Sequence, residues 1–171
     1  AASYFAGIEP IKFEGTGSTN PLAYRYYDKD RVVMGKTMAE HLRMAVCYWH
    51  TFCWDGFDVF GAGTFNRPWH GGPVDQARAE HKLDEAFEFF TRLGLPYFCF
   101  HDVDVMAQAH TIKEHVENFA AIVDKIEAKM AATGVKLLWG TANMFSHPRY
   151  MGGASTNPDP LVFAHGCAQV R

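Results

Sequence analysis

The chain has 171 residues and a formal net charge of −3, with 16 Lys and Arg against 19 Asp and Glu. That balance leaves no basic footprint for nucleic acid, and no run of about 18 apolar residues is present to cross a membrane. The amino terminus lacks the charged-then-apolar pattern of a signal peptide, and Cys47, Cys53, Cys99 and Cys167 show no paired zinc spacing, so reduced, buried thiols and a cytoplasmic enzyme are expected.

Residues 1–43 read as an amino-terminal arm outside any strand-helix unit. Glu14-Gly15-Thr16-Gly17-Ser18-Thr19-Asn20-Pro21 is a loop by composition. No clear apolar strand precedes its glycines and no lysine follows at P-loop spacing, so an ordinary turn is expected rather than a phosphate cradle. Thr37-Met38-Ala39-Glu40 is a capping box, in which the Thr hydroxyl accepts a first-turn amide and the Glu reaches back to the cap residue's own amide. It starts a short helix that leads into the first strand.

From residue 44 to 171 one grammar repeats. Met44-Ala45-Val46-Cys47-Tyr48-Trp49 is an apolar run ending at His50, read as a buried strand. The segment from Asp75 to Leu93 carries Leu83, Ala86, Phe87, Phe90 and Leu93 on one helical face and stops at Gly94. A second strand, Pro96 to Phe100, breaks without a spacer into His101-Asp102-Val103-Asp104. Thr111-Ile112-Lys113-Glu114 is another capping box, followed by Val116, Phe119, Ala120, Val123, Ile126 and Met130 at helical spacing and a stop at Gly134. The third strand, Gly134 to Trp139, opens into Gly140-Thr141-Ala142-Asn143, and Asn157-Pro158 reads as the cap and first residue of a third helix. Arg171 falls inside that helix with neither a glycine stop nor a polar finish, as if the chain were cut after a basic residue.

The strand ends lie roughly 40 to 50 residues apart, the spacing of parallel strands joined by crossover helices. The fold class is therefore α/β, and chemistry is expected at the carboxyl ends of the strands, where His101 sits. Asp102 and Asp104 are oxygen donors that could hold a metal with the His101 imidazole; against this, adjacent groups on one strand point to alternating faces. A complete eight-fold barrel takes roughly 250 residues, so three units leave open sheet edges and an apolar face that call for further chain or for self-association.

The strings Cys47-Tyr48-Trp49-His50-Thr51-Phe52-Cys53-Trp54, Phe65-Asn66-Arg67-Pro68-Trp69, Cys99-Phe100-His101-Asp102-Val103-Asp104, Leu138-Trp139-Gly140-Thr141-Ala142-Asn143 and Thr156-Asn157-Pro158-Asp159-Pro160 carry a resemblance that covers essentially the whole chain. It resembles the amino-terminal part of the bacterial xylose isomerases of the longer class, which have an extended N-terminal arm. The resemblance implies a partial (β/α)8 TIM barrel, about three βα units preceded by the arm, from a tetrameric enzyme that interconverts D-xylose and D-xylulose, with D-glucose a poorer substrate. It implies that His101 contacts the sugar ring oxygen or anomeric hydroxyl and helps open the pyranose, and that Asp104 hydrogen-bonds this imidazole and leaves its other nitrogen to face substrate. Trp49 and Phe145 match aromatic walls of the sugar pocket, Thr141 a residue that positions substrate, and Phe60 a ring that enters the pocket of a neighbouring subunit.

Two divalent cations (Mg, Mn or Co) are implied for the hydride shift, held by carboxylates and a histidine from strands beyond Arg171, so the chain alone is expected to be catalytically silent. Its implied partners are an aldose, at least one further copy of itself, and the remaining carboxyl-terminal portion of the enzyme. Two other readings stand beside this one: another metal-dependent barrel enzyme of the same superfamily, such as an endonuclease, and a non-catalytic half-barrel module that self-associates over its open edges.

Overall fold

The computed structural model describes residues 3–171. Its centre is a parallel three-stranded sheet in the order β3-β4-β5, with β3 at Ala45–Cys47, β4 at Tyr97–His101 and β5 at Lys136–Thr141. Before it comes a small antiparallel hairpin, β1 (Val32–Val33) with β2 (Lys36–Thr37). The two residues of its turn, Met34 and Gly35, have φ of 49° and 81°, the paired positive values that close a tight hairpin.

Three helices form where the sequence patterns place them. The α1 helix (Met38–His41) carries the complete Thr37/Glu40 capping box. The α2 helix (Gln76–Leu93) is capped by Asp75, which accepts from the Arg78 amide at 2.8 Å, and ends on left-handed Gly94. The α4 helix (Ile112–Thr133) has its Thr111/Glu114 box and its Gly134 stop. Between β4 and α4 the chain adds a four-residue helix, α3 (Asp102–Val105), which the strand reading missed. The last helix, α5 (Pro160–Val170), starts two residues later than Asn157-Pro158 suggests: Asp159 is the cap and Pro160 the first helical residue. Asn157 instead accepts from the Asp159 amide at 3.0 Å, a side-chain turn that precedes the cap.

The first strand is also shorter than the apolar run. After Cys47 the chain leaves the ladder, and Trp49–Cys53 form one wide π turn closed by the Trp54 amide on the Trp49 carbonyl at 2.9 Å. The cause is packing: Tyr48 and Phe52 are both buried in the core with ring centroids 5.1 Å apart, whereas four residues of extended strand would hold them about 13 Å apart.

The core lies between the sheet and α2. Ala79, Leu83, Ala86, Phe87 and Phe90 form the buried face of α2, and Phe98 of β4 is stacked on Phe90 with centroids 5.3 Å apart. The α4 helix contributes Ile122 and Ile126, with Phe119 and Met130 at the margin, whereas Val116 of the predicted stripe is exposed. The arm docks on the end of α2: the Ile11 amide donates to Arg92 O at 2.7 Å and the Tyr24 hydroxyl to Leu93 O at 2.7 Å. Within the glycine loop Glu14 accepts from Ser18 Oγ at 2.5 Å and Asn20 Nδ2 at 2.9 Å, so a carboxylate occupies the turn.

One irregularity in the sheet decides which residues meet. Phe98 pairs with Leu137 but Cys99 pairs with Trp139, so Leu138 is an extra residue in β5. A bulge of this kind reverses which face the following residues serve. Trp139 and Thr141 therefore share the face of Cys99 and His101, while Gly140 sits opposite Phe100 on the helix side.

Candidate active site

The site is built at the carboxyl end of β4. His101 ends the strand and caps α3. Its Nδ1 lies 3.0 Å from Asp104 Oδ2, and the same oxygen accepts the His101 amide at 2.7 Å. The four-residue helix makes this possible, because residues three apart on a helical turn fold back on each other. Nδ1–H donates to the carboxylate, which leaves Nε2 free to face a ligand; among the described residues it has no hydrogen-bond partner. Burial pushes the Asp104 carboxyl above its ordinary range, opposed by the two bonds from His101.

Three aromatic rings surround the imidazole. Trp49 stands 4.6 Å from it between centroids, Phe145 is edge-on at 5.3 Å, and Trp139 lies at 5.8 Å and 5.3 Å from Trp49. The sequence placed Trp49 at a strand end, but the π turn is what swings it over His101. The apolar run marks Trp139 only as a strand residue, and alternation alone puts it on the opposite face; the bulge brings it to the side of His101. Thr141 pairs in register with His101 across the ladder, on the pocket side. Phe60 is not part of this group: it is 93 % exposed, in a loop where Asp58 Oδ1 accepts its amide at 2.8 Å.

Asp102, adjacent to the pair, has another role. It is buried, and its Oδ1 accepts the amides of Val103 and Asn143, both at 2.8 Å. Its Oδ2 accepts from Gln169 Nε2 at 2.8 Å and lies 3.0 Å from His115 Nε2. One carboxylate thus ties β4 to the loop after β5, to α4 and to α5. Asn143 then organises that loop, its Oδ1 accepting from the Ser146 amide at 3.0 Å and Ser146 Oγ at 2.8 Å, and so Phe145 is held beside His101. Nothing in the residue pattern signals this division of labour between two aspartates two residues apart.

With Asp102 saturated and Asp104 committed to His101, neither carboxylate is free for an ion. Among the described residues no group of three or more His, Cys, Asp or Glu is placed to hold a metal. The residues present do not fit the two divalent cations that the resemblance implies. The thiols are all free, but only Cys99 is a buried residue; Cys53 and Cys167 are exposed and Cys47 is intermediate. The expectation of four buried thiols is corrected, because Cys53 lies in the π turn and Cys167 on α5. Among the described residues no helix is long and apolar enough to cross a membrane.

No family model matches the chain. It is 75 % identical over 169 residues to a curated protein from Solibacter usitatus named "Xylose isomerase", an alignment that takes in 99 % of this chain and 39 % of that protein. Similar proteins of the same name are 59 % identical over 169 residues in Pseudoalteromonas atlantica, covering 38 % of it, and 58 % identical over all 171 residues in Novosphingobium aromaticivorans, covering 39 %. The chain spans about two fifths of the length of these relatives. A match of this depth over 99 % of the residues, with His101, Asp104 and three aromatic rings gathered at one strand end, places the chain in the xylose isomerase family.

Proposed function

We propose that this chain is the sugar-ring-opening sector of a xylose isomerase: three βα units of a (β/α)8 barrel whose other strands belong to the rest of the protein. The observation that carries the reading is the His101–Asp104 pair, 3.0 Å apart, with the rings of Trp49, Trp139 and Phe145 gathered around the imidazole. The chemistry follows from the pair. Opening an aldopyranose requires a proton to leave the anomeric hydroxyl and one to reach the ring oxygen. An imidazole whose Nδ1–H is fixed to a carboxylate presents Nε2 as the group that carries that proton. Asp104 orients the ring and stabilises its protonated form. The indole and phenyl rings pack against the C–H faces of the sugar and exclude water from the exchanging proton. Thr141, beside His101 in register, orients a sugar hydroxyl.

The hydride shift, which the family assigns to two divalent cations, falls to residues outside this chain. The intact protein converts D-xylose to D-xylulose as a homo-oligomer, in which the exposed Phe60 loop lies against a neighbouring subunit. Assay of the intact protein and of the 171-residue chain with D-xylose and added magnesium or manganese tests the reading. Turnover by the first and none by the second is expected; an intact protein without aldose isomerase activity would refute it, and turnover by the isolated chain would overturn the assignment of the hydride shift elsewhere.

The self-associating module draws on a separate observation. All six residues of β5 are exposed at the sheet edge, and an apolar groove of about 740 Å³ lined by Phe100, Phe119, Ile126, Met130, Leu137 and Val170 runs beside it. That surface favours association of the isolated chain, and a monomeric mass at micromolar concentration would count against it.

A further inference from the structure

We propose that Lys82, a buried ammonium on α2, is a positioning residue for the His101–Asp104 pair, acting on the Asp104 carboxylate across the cavity that the two residues share. The inference rests on the ring-opening role proposed above. Lys82 is 5 % exposed and sits on the helix face whose neighbours, Ala79, Leu83 and Ala86, are core residues. A lysine there carries a desolvation cost that an apolar side chain would not. It also lacks the partner that normally offsets this cost: among the described residues no carboxylate lies within ion-pair distance of its ammonium. Its contacts are Cys53 Sγ at 3.5 Å and the face of Tyr48, 5.7 Å from Nζ to the centroid.

Cys53 links Lys82 to the pair. Its thiol donates to the Asp104 carbonyl at 3.4 Å, and Lys82, Cys53, Val103 and Asp104 line one cavity of about 500 Å³, together with Asp55 and His70 from the loop after the π turn. Cys53 as a residue reaches solvent, but its Sγ lies in part-buried contact with Lys82 and Asp104, and desolvation there pushes the thiol up to about 11, although Lys82 draws it down. At neutral pH the sulfur is therefore an uncharged thiol that does not cancel the ammonium. The titratable groups that face Asp104 are His101 and Cys99 on β4, Cys47 on β3, Tyr48 just after it, Cys53 in the π turn and Lys82 on α2, and Asp55 and His70 of the following loop line the same cavity. Burial raises the Asp104 carboxyl, the bonds and charge of His101 oppose it most, and Lys82 acts in the same lowering direction. In a medium of reduced dielectric a unit charge on a neighbouring element still matters over several ångströms.

The test uses the intact protein, comparing wild type with Lys82→Met and Lys82→Arg. Two readouts are taken: the pH dependence of kcat/KM for D-xylose, and the carboxyl 13C titration of Asp104, which needs no turnover. Removing the cation should move the Asp104 midpoint and the acid limb of kcat/KM upward by about one pH unit, with activity recovering at higher pH, and Lys82→Arg should restore both. A folded Lys82→Met protein with an unchanged Asp104 midpoint would overturn the proposal. Where Met is not tolerated, Lys82→Gln, neutral and able to hydrogen-bond Cys53, gives the same comparison. If the wild-type protein fails to isomerise D-xylose, the ring-opening reading fails, while the carboxyl titration still decides whether Lys82 governs Asp104.

Discussion

β4 and β5 are hydrogen-bonded neighbours with opposite surroundings. β4 is paired on both sides and covered by α2, so its central residues Phe98, Cys99 and Phe100 are all buried. β5 is paired on one side, and all six of its residues are exposed. Yet both strands deliver residues to the same recess, His101 from one and Trp139 and Thr141 from the other. The lesson is that the histidine is mounted on the strand paired on both sides, where its position is over-determined, and Trp139 and Thr141 on the strand paired on one side only.

The largest effect that would sharpen this contrast is catalytic. In the intact enzyme His101→Gln should lower kcat by about 10²- to 10⁴-fold, the usual contribution of a placed proton carrier, whereas Thr141→Ser should cost less than about tenfold, the worth of about one hydrogen bond. Steady-state kinetics on D-xylose read both, and equal losses would break the comparison. Next comes packing. Phe98→Ala should destabilise the chain by about 3–5 kcal/mol in urea unfolding, and Leu138→Ala, the half-exposed bulge residue, by about 1 kcal/mol.

Asp102→Ala should follow, at about 2–4 kcal/mol, because it strands the Asn143 amide, Gln169 and His115 around an empty site. It should also loosen Phe145 and raise KM more than it lowers kcat. A variant with wild-type stability would show that the four-way tie is not a structural support.

The smallest effect is the pH dependence contributed by Asp104. Burial raises its carboxyl in the folded chain, so its contribution to stability is present below the unfolded carboxylate range and is lost as pH rises through the folded value. The difference in unfolding free energy between wild type and Asp104→Asn should therefore fall between about pH 3 and pH 6. A flat or rising difference would show that the bonds from His101 outweigh burial.

Much of this was legible from the residues. The helix α4 could be drawn from Thr111, Glu114 and Gly134 alone, because capping boxes and left-handed glycine stops act within a single turn of chain. His101 at a strand end followed from the break between an apolar run and a polar cluster. The shift of the last helix from Pro158 to Pro160 was not legible, since Asn157-Pro158 and Asp159-Pro160 obey the same local rule and only the surrounding turn chooses between them. The separate roles of Asp102 and Asp104 were equally hidden: Asp104 answers to a residue three positions away, Asp102 to Asn143, His115 and Gln169.

By itself the sequence determined the parallel α/β order, the helix limits set by local caps, and the presence of a histidine and carboxylate at one rim, because these depend on interactions within a few residues. Only the tertiary structure decided that Trp49 reaches His101 through a π turn, that the extra residue Leu138 brings Trp139 and Thr141 to the same face, and that a buried Lys82 lines one cavity with Asp104. The physical reason is that register, bulges and buried charge are set by how distant segments fill shared space, and no short-range pattern records that.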